Sequence, residues 1–581
     1  MTYTDLAPKY KISPGEIDKK KGYTALTFAP VQGFIEKSRK LRDLYGGSFL
    51  LSYLAKQVCT AARIYFCGTG DPAENEDPII SPALIDVTKG TPNQIIIKGY
   101  FPRDEATKAL DDAWKKIAIG CREWIEASCS DWIETERSRW GECWQDTSTI
   151  PWQSDWNAWS NYAWEFFWGT GETVSAARES LNQQKLGRSW TGINWQGESS
   201  TLSGADAIAF PGMNRMSGKQ LLYGEEQERI RDFYQGLSNI VGDAIIDPRE
   251  ELSIPELIKR LITVKEVAQQ VGISLKEIPR TYRDLNRLSR QTQTTSQENQ
   301  WTGWFQGDGD KIGDYLKQLK NSGEDEASSL HAFSQAMMNW GEYELYEKFP
   351  SDLGRIIYAG GDDFMGVCYH TEEQPILSAK ECLSWFNSFR YDIWEKHKQP
   401  LGVSVGFVWA APNVPQRDVL QHCRLAEKAA KNGGRDRLSL RVLFNDGKYL
   451  QWICPWHHLN ILDAYCDRTG GKNWRHIYED VAVLESRHAF THDNTEIATS
   501  LIDIYFHNER RDGNYSAIVR DPEKLWNTAT WKGGILGEET RFERSPDPQK
   551  AKNQAFNNWV INLAKVGFHL LGNDRVLDIE H

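Results

Sequence analysis

Between Arg355 and Tyr369 the chain reads RIIYAGGDDFMGVCY, two short apolar runs on either side of Gly360, Gly361, Asp362 and Asp363. Ile356, Ile357 and Tyr358 suit one β-strand, Phe364 to Val367 suit its partner, and paired glycines supply the positive φ that a tight turn demands. The pattern predicts a hairpin with two adjacent carboxylates at its tip, an arrangement suited to divalent cations. A solvated Gly/Asp turn would read the same way.

A second acidic segment lies upstream. Trp301 to Asp310, WTGWFQGDGD, is an aromatic strand ending in Asp308 and Asp310, each preceded by glycine. If it lies beside the hairpin, Asp308 can share two divalent cations with Asp362 or Asp363, one activating a hydroxyl and one neutralising triphosphate charge. Gly309, Gly360 and Gly361 would then let phosphate approach the backbone. A second turn or a helix N-cap accounts equally for Asp308 and Asp310. Beyond the hairpin, Leu377 to Lys396 has a helical pattern, 402–408 reads as a buried strand, and Arg417 to Asn432 as a second helix. Lys428, Lys431 and Arg435 at the end of that helix are cations able to reach a triphosphate. Cations in that position also complement the helix dipole.

The order of strand, acidic loop, helix, GGDD hairpin, helix, strand and then AEKAAKNGGRDRL resembles GGDEF-like nucleotide cyclases and related polymerase palms. The opening TFAPVQGFI at 27–35 and SRKLRDLYGGS at 38–48 resembles the large polymerase-like subunit of type III CRISPR complexes, especially the Cmr (III-B) branch. Asp247 to Leu252, His331 to Ala336 and Cys454 to Trp456 fit the same family.

That resemblance implies an α+β chain with two ferredoxin-like, palm or nucleotide cyclase-like domains, a helical linker domain and a helical C-terminal domain. The expected division is a tail at 1–22, a degenerate palm at 23–200, a linker at 201–295, the GGDD palm at 296–455 and helices at 456–581. It implies a nucleotidyltransferase that polymerises ATP into cyclic oligoadenylates when a guide RNA has captured target RNA. Catalysis would rest on Mg or Mn ions held by Asp308, Asp362 and Asp363. Gly309, Gly360, Gly361, Lys431 and Arg435 would receive ATP. Partners would be guide RNA, target RNA and other Cmr-type subunits, in the cytoplasm and with no membrane. A scaffold that binds nucleotide without turnover is the alternative. A stand-alone cyclic dinucleotide synthase would carry Glu where this chain has Asp363.

Two departures from the family are expected. Only about twenty residues precede the strand beginning at Tyr23, and the sole His-Asp dipeptide is His492-Asp493, so no HD nuclease is anticipated. The ten cysteines include no CxxC pair, so no zinc site is anticipated either; Cys121, Cys129 and Cys143 read as buried thiols.

A formal charge of −12 disfavours a chain that coats nucleic acid unaided, since phosphate contacts need a positive field. Lys37, Arg39, Lys40 and Arg42 form a local basic run, readable as an RNA patch or as a solvated helix face. Half of the 24 tryptophans fall between Trp114 and Trp195, among acidic and neutral neighbours, which favours core and subunit interface over base stacking. Ser, Thr and Gln dominate Arg287 to Gln300, a predicted flexible junction.

Overall fold

The computed structural model describes residues 21–139, 151–188, 192–195, 197–211, 223–243, 245–273, 301–321, 325–369, 377–506 and 515–572. The first twenty residues, Cys143 and the predicted junction at 287–300 lie outside them.

The first unit begins with β1 (Tyr23–Ala29) and α1 (Leu41–Cys67), followed by β2 (Ile79–Ser81), β3 (Ile95–Lys98), α2 (Arg103–Ser128), β4 (Glu165–Gly171) and α3 (Val174–Leu186). The sheet order is β2-β3-β1-β4 and β1 pairs antiparallel with both neighbours. This is the ferredoxin-like βαββαβ order. The strands are apolar on the covered face, with Leu26, Ile95 and Ile97 fully buried. Two further helices, α4 (Tyr223–Val241) and α5 (Ile254–Leu261), form no separate core. Phe233, Leu237, Leu257 and Ile258 join Leu26, Leu54 and Trp114 in one cluster, so the linker helices belong energetically to the first unit. A capping box between Ser253 and Glu256 starts α5.

The tryptophan-rich stretch is part of that packing. Trp114, Trp152 and Trp156 are buried, Trp114 meets Trp164 edge to face at 5.4 Å, and the Trp114 indole donates to the Trp159 carbonyl at 2.8 Å. The Trp152 indole likewise donates to Glu126 at 2.9 Å, whereas the Trp156 and Trp164 N–H groups are buried without a partner among the described residues. Cys121 and Cys129 are buried thiols within the same unit.

The second unit repeats the topology. It contains β5 (Thr302–Gly309), α6 (Glu326–Asn339), β6 (Gly354–Gly360), β7 (Asp363–Cys368), α7 (Ala379–Ser388) and β8 (Val403–Ala410). It continues through α8 (Gln416–Asn432), β9 (Arg437–Leu443) and β10 (Tyr449–Pro455). The sheet order is β10-β9-β8-β5-β7-β6, in which β8-β5-β7-β6 is again the ferredoxin-like arrangement. Because α8 crosses over between β8 and β9, those two strands are parallel, and every residue of β8 is buried. The helix expected at 377–396 is α-helical to Ser388 and continues as a π-helical stretch (Phe389–Ile393) and a 3₁₀ turn (Trp394–His397).

One face of this sheet packs on α6, α7 and the C-terminal helices, ending with α9 (Pro548–Leu571), in a single core. The other face packs on α8 and on Leu41 and Leu44 of α1, so a first-unit helix helps close the second unit's core. No described helix is long and apolar enough to cross a membrane.

Candidate active site

β5 is central, and its register fixes the site. Gly307 stands opposite Phe364 on β7, and Asp308 opposite Ser404 on β8. A Cβ at Gly307 would lie 2.1 Å from Phe364 Cζ, so this glycine makes room for the ring. The Gly309 amide donates to the Asp362 carbonyl at 3.2 Å, tying the strand end to the hairpin tip. The hairpin expected from the sequence is present, with Gly361 at φ +87° in its turn.

Asp308, Asp362 and Asp363 are thereby brought together, each only partly exposed. Burial raises the Asp362 carboxyl to about 7, helped by the charge of Asp308 and by a hydrogen bond between the two side chains. Asp363 is likewise pushed well up, by burial and then by the charges of Asp308 and Asp362. Its oxygens accept the Tyr358 hydroxyl at 3.2 and 3.3 Å.

Lys431, in the last turn of α8, donates to Asp308 and sits 2.7 Å from Glu427. Burial opposes its charge, but Asp308 and Glu427 together hold its pKa above the ordinary lysine range. Arg435 stands at φ +63° in the turn beyond α8. Among the described residues no hydrogen bond joins its side chain to the carboxylates.

Sequence reasoning left the role of Asp310 open between a turn and a helix cap, and missed two further contributors. Asp310 is buried, accepts from Ser404 Oγ at 2.7 Å and from the Asp436 amide at 2.8 Å, and is raised by burial to about 6. It anchors the strand end to the turn after α8, and nothing in its spacing separates it from Asp308. Tyr358 and Glu427 gave no signal, since one reads as a strand aromatic and the other as a surface helix acid. In the basic run at 37–42 three cations are engaged within the protein, while Arg39 stays half exposed at 3.8 Å from Glu250. Lys37 pairs with Asp206 at 2.6 Å, Lys40 with Glu250 at 3.2 Å, and Arg42 donates to Thr263 at 2.8 Å.

Among the described residues no three His, Cys, Asp or Glu side chains are gathered into a ready-made metal cage. Magnesium ordinarily takes one or two carboxylates and completes its shell with water and phosphate oxygens. Asp362 and Asp363, both raised by burial and by neighbouring acids, are hard oxygen donors next to Asp308 at one strand end, so the donor set fits such a cation.

Residues 302–439 match the family described as Cas10/Cmr2, second palm domain, and residues 23–88 match CRISPR-associated protein Cmr2, N-terminal. No curated protein matches the chain. Among solved structures, a type III-B Cmr-beta complex in the apo state aligns at 12% identity with a TM-score of 0.52, covering 94% of this chain and 82% of that one. An apo Csm1-Csm4 cassette aligns at 13% identity, TM-score 0.43, covering 96% and 71%. A Csm1-Csm4 subcomplex of the type III-A interference complex aligns at 14%, TM-score 0.41, covering 95% and 70%. The first of these shows a shared fold; the other two are too distant to add to it.

Proposed function

We propose, from the match of residues 302–439 to the Cas10/Cmr2 second palm domain and of residues 23–88 to the Cmr2 N-terminal family, that this chain polymerises ATP into cyclic oligoadenylates as the signalling subunit of an RNA-guided type III-B complex. The observation that carries this reading is the carboxylate group at the end of β5, where the Gly309 amide ties the strand to the Asp362–Asp363 hairpin tip and Lys431 donates to Asp308.

In this account Asp308, Asp362 and Asp363 would hold Mg²⁺ or Mn²⁺. A bound divalent cation there would activate the attacking 3′-hydroxyl and neutralise triphosphate charge. In this reading Lys431 would exchange Asp308 for a triphosphate oxygen when ATP arrives, and Arg435 would steady the same group. Gly360 and Gly361 would leave backbone amides for phosphate to approach. The 3′-hydroxyl of one nucleotide attacks the α-phosphorus of the next, the new P–O bond forms as the bond to the leaving pyrophosphate breaks, and the hydroxyl proton passes to solvent. No protein nucleophile is needed; positioning and charge neutralisation supply the acceleration.

Guide and target RNA and further Cmr-type subunits are the proposed partners, since a chain of net charge −12 would rely on its neighbours for most phosphate contacts. The test is product analysis from labelled ATP with the assembled complex, with and without guide-complementary RNA. Target-dependent cyclic adenylates support the reading. ATP binding without product would instead favour a nucleotide-binding scaffold.

A further inference from the structure

β6 is the edge strand of the second sheet, and an edge strand exposes amides that need partners. At the hairpin end that partner comes from the other unit. The Ala359 amide donates to the Lys89 carbonyl at 2.8 Å, and Lys89 Nζ reaches Glu342 at 2.6 Å. Lys89 belongs to the connection between β2 and β3. Its neighbour Gly90 has φ +107°, and a Cβ there would stand 3.2 Å from Tyr358 Cβ and 3.3 Å from the Ala359 nitrogen. Pro92 continues the contact, its Cγ lying 3.7 Å from where a Gly361 Cβ would be.

The connection is firmly mounted on its own side. The Thr91 amide donates to Ser52 Oγ on α1 at 2.9 Å, Asn93 donates to Thr27 Oγ1 at 2.9 Å and to the Phe28 carbonyl at 3.0 Å, and the Tyr45 hydroxyl donates to the Thr88 carbonyl at 3.3 Å. What it grips is the part of the hairpin that orients an acid, because Tyr358 donates to Asp363. A continuous series of contacts therefore runs from α1 and β1 through Lys89–Pro92 to Tyr358 and Asp363.

We propose that the Lys89–Pro92 loop is a clamp by which the first unit positions the acidic hairpin, with Gly90 and Tyr358 as positioning residues. This rests on the nucleotidyl-transfer reading of the site. It gives the first unit, which carries no GGDD of its own, a defined part in the reaction. A shift of α1 relative to the second sheet would reach Asp363 through Gly90 and Tyr358, and a displacement of about 1 Å at a reacting group can cost about 10²-fold in rate.

The experiment compares wild-type complex with Gly90→Ala, which adds a Cβ against Tyr358, and Tyr358→Phe, which keeps the ring and removes the hydroxyl. Hydrogen–deuterium exchange of 354–368 is followed alongside kcat and KM for ATP. The clamp predicts faster exchange of 354–368 in Gly90→Ala with β5 and β8 unchanged, and kcat lowered about tenfold or more in both variants at a KM within about twofold of wild type. Unchanged exchange in Gly90→Ala, or wild-type kcat in Tyr358→Phe, overturns it. Should wild-type complex make no product, the nucleotidyl-transfer reading fails, while the exchange measurement still decides whether the loop holds the hairpin.

Discussion

Lys431 donates to Asp308 while Glu427, one turn earlier on the same helix, holds the ammonium from the other side. A cation fixed between an acid of the central strand and an acid of its own helix is poised to change partners when a triphosphate enters. Lys431→Met is therefore expected to leave the fold intact and lower turnover of ATP by about 10²-fold. Lys431→Arg should retain part of the activity. Steady-state kinetics on the assembled complex checks both.

Replacing Asp362 and Asp363 together by Ala is expected to abolish product while leaving the complex assembled. Both carboxylates are raised by burial and by neighbouring acids, so their removal relieves repulsion and the turn retains Gly361. Size-exclusion chromatography beside product analysis reads the two effects separately.

The space at Gly307 is filled by Phe364, so Gly307→Ala forces the ring or the strand to move. A loss of about 1–3 kcal/mol is expected from such overpacking, measured by urea unfolding. Adding Phe364→Leu should recover part of it.

Arg260 is fully buried between Asp43 at 2.6 Å and Glu250. Removing one partner from a buried ionic group leaves uncompensated charge, so Arg260→Ala is expected to cost about 3–5 kcal/mol. Replacing Arg260, Asp43 and Glu250 together by apolar residues should cost much less, because no charge is then stranded. Urea midpoints of the two variants provide the comparison.

Burial lowers the neighbouring Lys259 ammonium to about 8. The unfolded chain, with an ordinary lysine near 10.4, binds the extra proton between these values. Stability must then rise with pH across that window, the destabilising contribution being complete below pH 8 and fading above it. Relative to Lys259→Gln, the wild-type chain is expected to gain at most about 1.4 kcal/mol per pH unit between pH 8 and 10, followed by urea unfolding at each pH.

Local pattern carried much of the second unit into view. Short apolar runs about a glycine turn marked β6 and β7, a largely apolar run marked β8, and helical patterning marked α8, because each depends on residues near in sequence. What stayed hidden depends on partners far away. Lys37 and Lys40 look like a free basic face until Asp206 arrives 169 residues and Glu250 210 residues further along the chain. The linker helices α4 and α5 show helical spacing but not that their apolar faces complete the first core. Asp308 and Asp310 are alike on paper, but β5 ends at Gly309, so Asp308 stays on the strand beside Lys431 while Asp310, just beyond it, accepts from Ser404 Oγ and the Asp436 amide. Tyr358 and the Lys89–Pro92 loop gave no sign, since their contact exists only once the two units meet.

The most direct test of the central claim is mass analysis of products formed from labelled ATP with Mg²⁺ or Mn²⁺ by the assembled complex and target RNA, beside the Asp362/Asp363 double variant. The account predicts cyclic adenylates that require target RNA and vanish in the variant. Products that persist in the variant, or none from the wild-type complex with either metal, would contradict it.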